Sequence, residues 1–356
     1  MTPPSDIISL RGAGCVPDSN LSDFPPQFNM LSRVAESIYW MARYVERAEN
    51  IARFIDVNIT FNLDYEREGR DQWIPLVQIT GDDELFAERS TSANRSNVIK
   101  FLAFDTEYPN SLIASLRMAR ENARTVREAI PSEVWEQIND FYHFVKRTHV
   151  PPESLEELAE FFVQVKQHSH LYNGILDATM SRGDGWHFAN LGRMLERADK
   201  TSRLIDVKYF ILMRNVTDIN TTMDDLQWSA LLRSVSGFEM YRKRFHAITV
   251  QRVAEFLIRD PVFPRSCQFC LSQALHSLEA IMAVGRKRPI NKAEIALRDL
   301  SRELRDLNVR QVIDSGMHEF IDDFQSRLND VGGAIFETYF DRTRLDEISS
   351  QSQSMT

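Results

Sequence analysis

The stretch ERAENIARFIDV, residues 46–57, returns 150 positions later as ERADKTSRLIDV, residues 196–207. Arg43 and Arg193 keep the same offset, so eight of the fifteen positions from 43 to 57 are identical. A second pair follows in the same order: FLAFDTEYPNS (101–111) aligns with FLIRDPVFPRS (256–266) at an offset of 155. There Phe, Leu, Asp, Pro and Ser recur, and Tyr108 stands opposite Phe263. Two ordered matches at nearly one offset read as a tandem duplication. Each half then runs a charged helix, an intervening helical stretch and an FL…P-S element leading into another helix.

Between its ends the chain carries helical periodicity and no alternating strand pattern or βαβ rhythm, so the expected fold is an all-α helical bundle of two tandem pseudo-repeats. Only 13 Gly and 13 Pro in 356 residues signal few turns, which fits long helices. Ser154 with Glu157, and Asn291 with Glu294, have the spacing of helix starts. Gly183-Asp184-Gly185 punctuates the start of the second charged helix. The expected layout is a flexible proline-bearing tail over 1–29, a first repeat over 30–180, a second over 181–340, and a polar tail over 341–356. Met30 opens the periodic region and offers an alternative start.

Composition excludes several classes. A hydrophobic share of 43% with 26% charged residues is globular rather than disordered. A formal charge of −9 argues against a general nucleic-acid binder. The longest notable apolar run, Tyr209 to Met213, is far short of a membrane span, and the first residues lack a signal-peptide core. Three cysteines form no even framework, and Cys267-Gln268-Phe269-Cys270 reads as buried helical thiols. A cytoplasmic protein with no membrane or nucleic-acid partner is the expectation.

On a helical wheel Ile38, Val45, Ala48, Ala52 and Ile55 make a core face. Glu36, Tyr39, Arg43, Glu46, Arg47 and Asn50 gather opposite, with Arg53 flanking. Arg193, Glu196, Arg197, Lys200 and Arg203 take the same stripe in the second copy. One such stripe alone would read as a solvated face laced with weak ion pairs. Its retention in both copies, while Phe54 has become Leu204, argues for specific partners across the halves or with a ligand. Asp56 and Asp206 lie toward the apolar side and call for a cationic or backbone partner as structural pins. A further stripe, Arg117, Arg120, Arg124 and Arg127, offers guanidinium forks for carboxylate or phosphate groups, or equally for the glutamates of the repeated helices. Its equivalents in the second half are Ser272, Leu275, Glu279 and Met282, so any ligand site there is one-sided.

Catalytic signatures are absent. No Glu-x-x-His pair supports a di-iron bundle, no metal site is expected, and neither GxxxxGK[ST] nor GxGxxG occurs. His168 and His170 sit two apart, on different sides of a helix.

The run MLSRVAESIYWMARYVERAENIARFIDV closely resembles the opening of the Alpha-E family, a helical and usually duplicated family named for its ER dipeptide. MSRGDGWHFANLGRMLERADKTSRLID (180–206) resembles its second copy, and ARENARTVREAIPSEVWEQIN (119–139) its middle region. The resemblance spans about 30 to 340 and places the family's ER dipeptides at Glu46-Arg47 and Glu196-Arg197. It implies association with circularly permuted ATP-grasp proteins, to which some relatives are fused, and with transglutaminase-like proteins and Ntn-hydrolase peptidases. Together these imply a peptide synthesis or modification system. ATP and magnesium are then expected on the partner, and no cofactor on this chain.

Three functional classes follow. The first is a partner subunit of an ATP-grasp peptide ligase that binds ligase, peptide or amino acid through Arg43, Glu46, Arg47, Asn50, Arg193, Glu196, Arg197, Arg117, Arg120 and Arg124. The second is an amide-forming acyl transferase using Glu46 or Glu196 as general base, although a glutamate paired with arginine is a poor base at neutral pH. The third is a scaffold in which the Glu-Arg pairs only lock the halves together.

Overall fold

A computed structural model describes residues 30–64, 73–78, 80–148, 152, 154–212, 222–283 and 291–341. The tail expected over 1–29, and that expected over 341–356 apart from Asp341, lie outside the described residues. Among the described residues there are fifteen α-helices, two of them continued by a π-helical turn, and no strand. The all-α class read from periodicity is the class observed.

In chain order the first half contains α1 (Ser32–Asp64), α2 (Ile74–Gln78), α3 (Asp83–Arg89), α4 (Arg95–Ile99), α5 (Leu112–Thr125), α6 (Ser132–Arg147) and α7 (Leu155–Thr179). The second contains α8 (Asp184–Leu212), α9 (Thr222–Ser234), α10 (Phe238–Arg244), α11 (Val250–Arg259), α12 (Cys267–Ala283), α13 (Lys292–Asp306), α14 (Val309–Ser315) and α15 (Met317–Ile335). Helix starts follow the side chains that can take up unpaired backbone N–H groups. The Ser154 hydroxyl accepts from the Glu157 amide and the Asn291 carbonyl oxygen from the Glu294 amide, both as their spacing predicted.

The recurring FL…D…P-S element is a local clasp. In the first half Asp105 Oδ1 accepts from the amides of Glu107 and Tyr108. Ser111 Oγ donates to the Asp105 carbonyl and accepts from the Ala114 amide, so it caps α5. Asp260 and Ser266 do the same for the turn before α12. The aromatic pair stacks in both copies, Phe101 on Tyr108 at 4.1 Å and Phe256 on Phe263 at 4.5 Å between ring centroids. The position between Pro and Ser, Asn110 in one half and Arg265 in the other, points back toward the centre of the bundle, where both side chains bond residues of α1.

That centre is α1 against α8. α1 also packs on α5 and α7, and α8 on α12 and α15, so elements in corresponding places make corresponding contacts. Neither helix has an outer face over its middle: Ile38, Val45, Ala52 and Ile55 are buried, and so are Glu46, Glu49, Asn50 and Arg53. The charged stripe expected to lie opposite the core is therefore interior. It is buried because α8 presents a matching stripe, and charge is tolerated inside only when it is paired.

Close approach requires Gly192. A Cβ there would run into the Tyr39 carbonyl oxygen and lie 3.1 Å from the Tyr39 ring and Arg43 Cγ, with backbone unable to move aside. Gly192→Ala is expected to cost about 1–3 kcal/mol through this overpacking. Gly174→Ala, on α7 with nothing within 4 Å of its Cβ, should gain about 0.5–1 kcal/mol. Urea unfolding of the two variants checks the pair. Equal and small effects would show that α1 and α8 have room between them.

Candidate functional site

The two Glu-Arg pairs interlock reciprocally. Glu46 receives a bidentate fork from Arg197, at 2.8 Å from Nε and 2.7 Å from Nη2. Glu196 receives Arg47 at 2.7 Å from Nε and 3.1 Å from Nη2. Arg43 Nε adds 2.9 Å to Glu196 Oε2. Both glutamates are sealed, at 1% and 0% exposure. Burial pushes their pKa values up. The guanidiniums overcome this, Arg197 and then Arg265 at Glu46, and Arg47, Arg43 and Lys200 at Glu196, so both stay below the usual carboxylate range. They are held as carboxylates and line neither of the two clefts beside α8. A general base needs the opposite environment.

A second ring extends the lattice. Glu49 bonds Arg53 at 2.9 and 2.7 Å, Ser169 Oγ at 2.6 Å, and Arg265. Its counterpart Asp199 takes Lys200 at 2.7 Å and Arg203 at 3.1 Å. Against burial, Arg265 and Arg53 hold Glu49 well below its ordinary value, and Lys200 and Arg203 hold Asp199 at about 2. Asn50 Nδ2 donates to Glu46 Oε1 at 3.0 Å and its Oδ1 accepts from Arg265 at 3.2 Å. The carboxylates expected to act as pins are met by Lys166 on Asp56 at 2.5 Å and by His318 on Asp206 at 2.8 Å.

Seven cations (Arg43, Arg47, Arg53, Arg197, Lys200, Arg203 and Arg265) thus share four carboxylates, Glu46, Glu49, Glu196 and Asp199, while Arg193 bonds Asn190 beside them. Arg265 was missed by sequence reasoning. The only signal was its place opposite Asn110 in the recurring element, and nothing local showed which way that position points. Burial, with Arg53 and Arg197 nearby, lowers its pKa to about 10 despite Glu49.

The structure does not bring Arg117, Arg120 and Arg124 to this lattice. α5 ends at Thr125, and its arginines lie on the side away from α1. Arg120 bonds Asn139 at 2.8 Å and sits over the Trp135 and Tyr142 rings of α6. Arg124 pairs with the half-exposed Glu121, and Arg117 reaches the Thr106 carbonyl. None meets Glu46 or Glu196; the guanidiniums of α1, α8 and the α11–α12 turn already occupy those carboxylates. Cys267 and Cys270 are buried thiols, as expected; burial raises both pKa values, Cys270 to about 12.

Two clefts flank α8. One, about 290 Å³, lies between α1, α8 and α15, where Tyr39, Trp40, Phe336 and Phe340 surround Arg43. The other, about 520 Å³, lies between α7, α8 and the start of α12, and Arg182, Arg193, Arg197 and Arg265 line it beside Trp186 and Phe269. Arg43 in the first and Arg193 in the second are the duplicated arginines, so corresponding positions open onto an aromatic cleft in one half and a cationic cleft in the other. Among the described residues, no group of three or more His, Cys, Asp and Glu side chains could hold a metal, and no helix is long and apolar enough to cross a membrane.

Comparison with known proteins places this architecture. The chain is 24% identical over 280 residues to uncharacterized proteins of Mycobacterium bovis and of two strains of Mycobacterium tuberculosis. Each match covers 72% of this chain and 31% of the relative, so the chain spans about a third of the length of these relatives. No solved structure matches. A family model described as a predicted alpha-helical domain with a conserved ER motif matches residues 30–340. That match takes in all but the ends of the chain, and with it both interlocked Glu-Arg pairs: the chain belongs to the Alpha-E family.

Proposed function

We propose that this chain is the non-ATP-binding partner subunit of a circularly permuted ATP-grasp peptide ligase or peptide-modification system, working in the cytoplasm. It is built as two pseudo-repeats, 30–180 and 181–340. It engages the ligase, a peptide or an amino acid through the arginines of its central helices, and a transglutaminase-like protein is a further partner. The ligase itself enters through the family. What the geometry contributes is the choice of binding over catalysis. The observation that carries it is the sealing of Glu46 and Glu196 inside arginine forks, which keeps both glutamates out of the clefts and leaves arginines lining them. The matched relatives support a partner role, because there the corresponding region is covalently continuous with a much longer chain.

Co-expression with a circularly permuted ATP-grasp protein from the same organism tests the proposal. The expected result is co-purification, and ATP consumption over an amino-acid panel that appears only when both chains are present. A ligase that works alone and does not associate would end the partner reading.

A further inference from the structure

The two copies of the lattice differ at one point with a physical consequence. In the first half Glu196 serves both Arg43 and Arg47, and the position between Pro and Ser holds neutral Asn110, which merely bonds Arg47 at 2.8 Å. In the second half that position is Arg265. It reaches Glu46 at 3.3 Å and Asn50 at 3.2 Å, beside the bidentate Arg197. Glu46 is thereby filled, and Arg193, the counterpart of Arg43, has no carboxylate within hydrogen-bond distance. Its Nη1 donates to Asn173 at 2.9 Å and its Nη2 to Asn190 at 2.7 Å, while Nε has no acceptor. Asn190 is itself fixed by Ser277 at 2.8 Å. The nearest acid is Asp177, whose Oδ2 lies 3.8 Å from Nη1, beyond hydrogen-bond reach, and whose Oδ1 takes Arg182 and the Trp186 indole.

A guanidinium oriented by two neutral amides, 8% exposed, with its nearest carboxylate beyond hydrogen-bond reach on the half-exposed Asp177, is costly to bury unless something outside the chain adds charge beside it. Burial and the neighbouring Arg197 both lower its pKa, the reverse of the raised Arg43. Arg193 also lines an open cleft with Arg197 and Arg265, so a ligand group can reach all three.

We propose that the cleft between α7, α8 and α12 is an oxyanion site, one-sided within the duplicated fold, in which Arg193, Arg197 and Arg265 receive a carboxylate or phosphate group whose apolar neighbour rests on Trp186 and Phe269. This deepens the reading of the central arginines as a binding site. It requires no ligase, so its failure and the failure of the partner reading are separate events.

The test is calorimetric titration of the full chain at low salt with three probes: inorganic phosphate, N-acetyl-alanyl-alanine, and the same dipeptide as its C-terminal amide. The expected result is binding of an oxyanion probe, none of the amide, and at least a tenfold loss in R193Q. Arg193→Gln should melt no lower than the parent, because it removes a buried charge whose nearest carboxylate lies 3.8 Å away, beyond hydrogen-bond reach. A second variant, Gln273→Glu, puts a carboxylate in the cleft wall and should also abolish binding in a folded chain. Binding of the dipeptide identifies a peptide or amino-acid carboxylate as the ligand, and binding of phosphate alone identifies a phosphoryl group. No binding of either anion, equal binding of the amide, or affinity unchanged in both variants overturns the site.

Discussion

Replacing Glu46 with Gln should destabilise the protein by about 3–5 kcal/mol, the range for removing one partner of a buried ion pair. The substitution keeps shape and removes charge, so the loss comes from the guanidiniums left behind. Arg197 would lose a bidentate acceptor at 2.7–2.8 Å, and Arg265 would face an amide whose NH2 cannot accept. Both arginines are at least nine-tenths buried, so water can reach them only from the cleft side. Arg124→Ala provides the contrast: its pair with Glu121 is exposed on both sides, so its loss should cost at most about 1 kcal/mol. Urea unfolding of the two variants measures the difference. If Glu46→Gln costs under about 1 kcal/mol, the lattice is solvated and the account of the α1–α8 interface fails. The same variant separates the roles of glutamate and arginine. With one carboxylate fewer beside the cationic cleft, the folded fraction should bind an oxyanion at least as tightly as the parent. A glutamate that contacted the ligand would give the opposite.

The fold was legible because helical periodicity and capping residues are local: Ser154 and Asn291 cap where their spacing places them. The duplication showed which residues mattered, but not where they sit. A helical wheel sorts residues by chemistry and puts Arg43 and Glu46 outside; a second helix with the same stripe turns that outside into an interface. Arg117, Arg120 and Arg124 make an equally regular stripe and stay near the surface, since α6 offers them rings and an amide rather than carboxylates. Sequence alone cannot separate the two cases, because the difference lies in the partner. Arg265 was hidden for the same reason: its consequence, an Arg193 with no carboxylate in hydrogen-bond reach, depends on three segments meeting more than 60 residues apart in the chain.

Acid should unfold this protein steeply, and the lattice sets the window. Glu46, Glu49, Glu196 and Asp199 all have folded pKa values depressed by their arginines and lysine, against ordinary values of 4.5 for Glu and 3.8 for Asp. A depressed folded pKa adds stability that is present above the unfolded value and lost as pH falls toward the folded one, near 2 for Asp199. Between about pH 4 and pH 2, then, the unfolded chain binds protons that the folded chain refuses. Each such carboxylate contributes a slope of about 1.4 kcal/mol per pH unit, so four together approach about 5 kcal/mol per unit. That is comparable to the whole stability of many domains, about 5–15 kcal/mol. Stability measured by urea unfolding at half-unit steps from pH 5 to pH 2.5 should fall with this slope. Glu196→Gln, less stable at neutral pH, should show a slope shallower by about one proton, its curve converging on the parent's as acid protonates Glu196 in the unfolded parent. An undiminished slope in that variant would mean that the protons are taken up elsewhere and that the reciprocal Glu-Arg pairs do not carry the acid sensitivity.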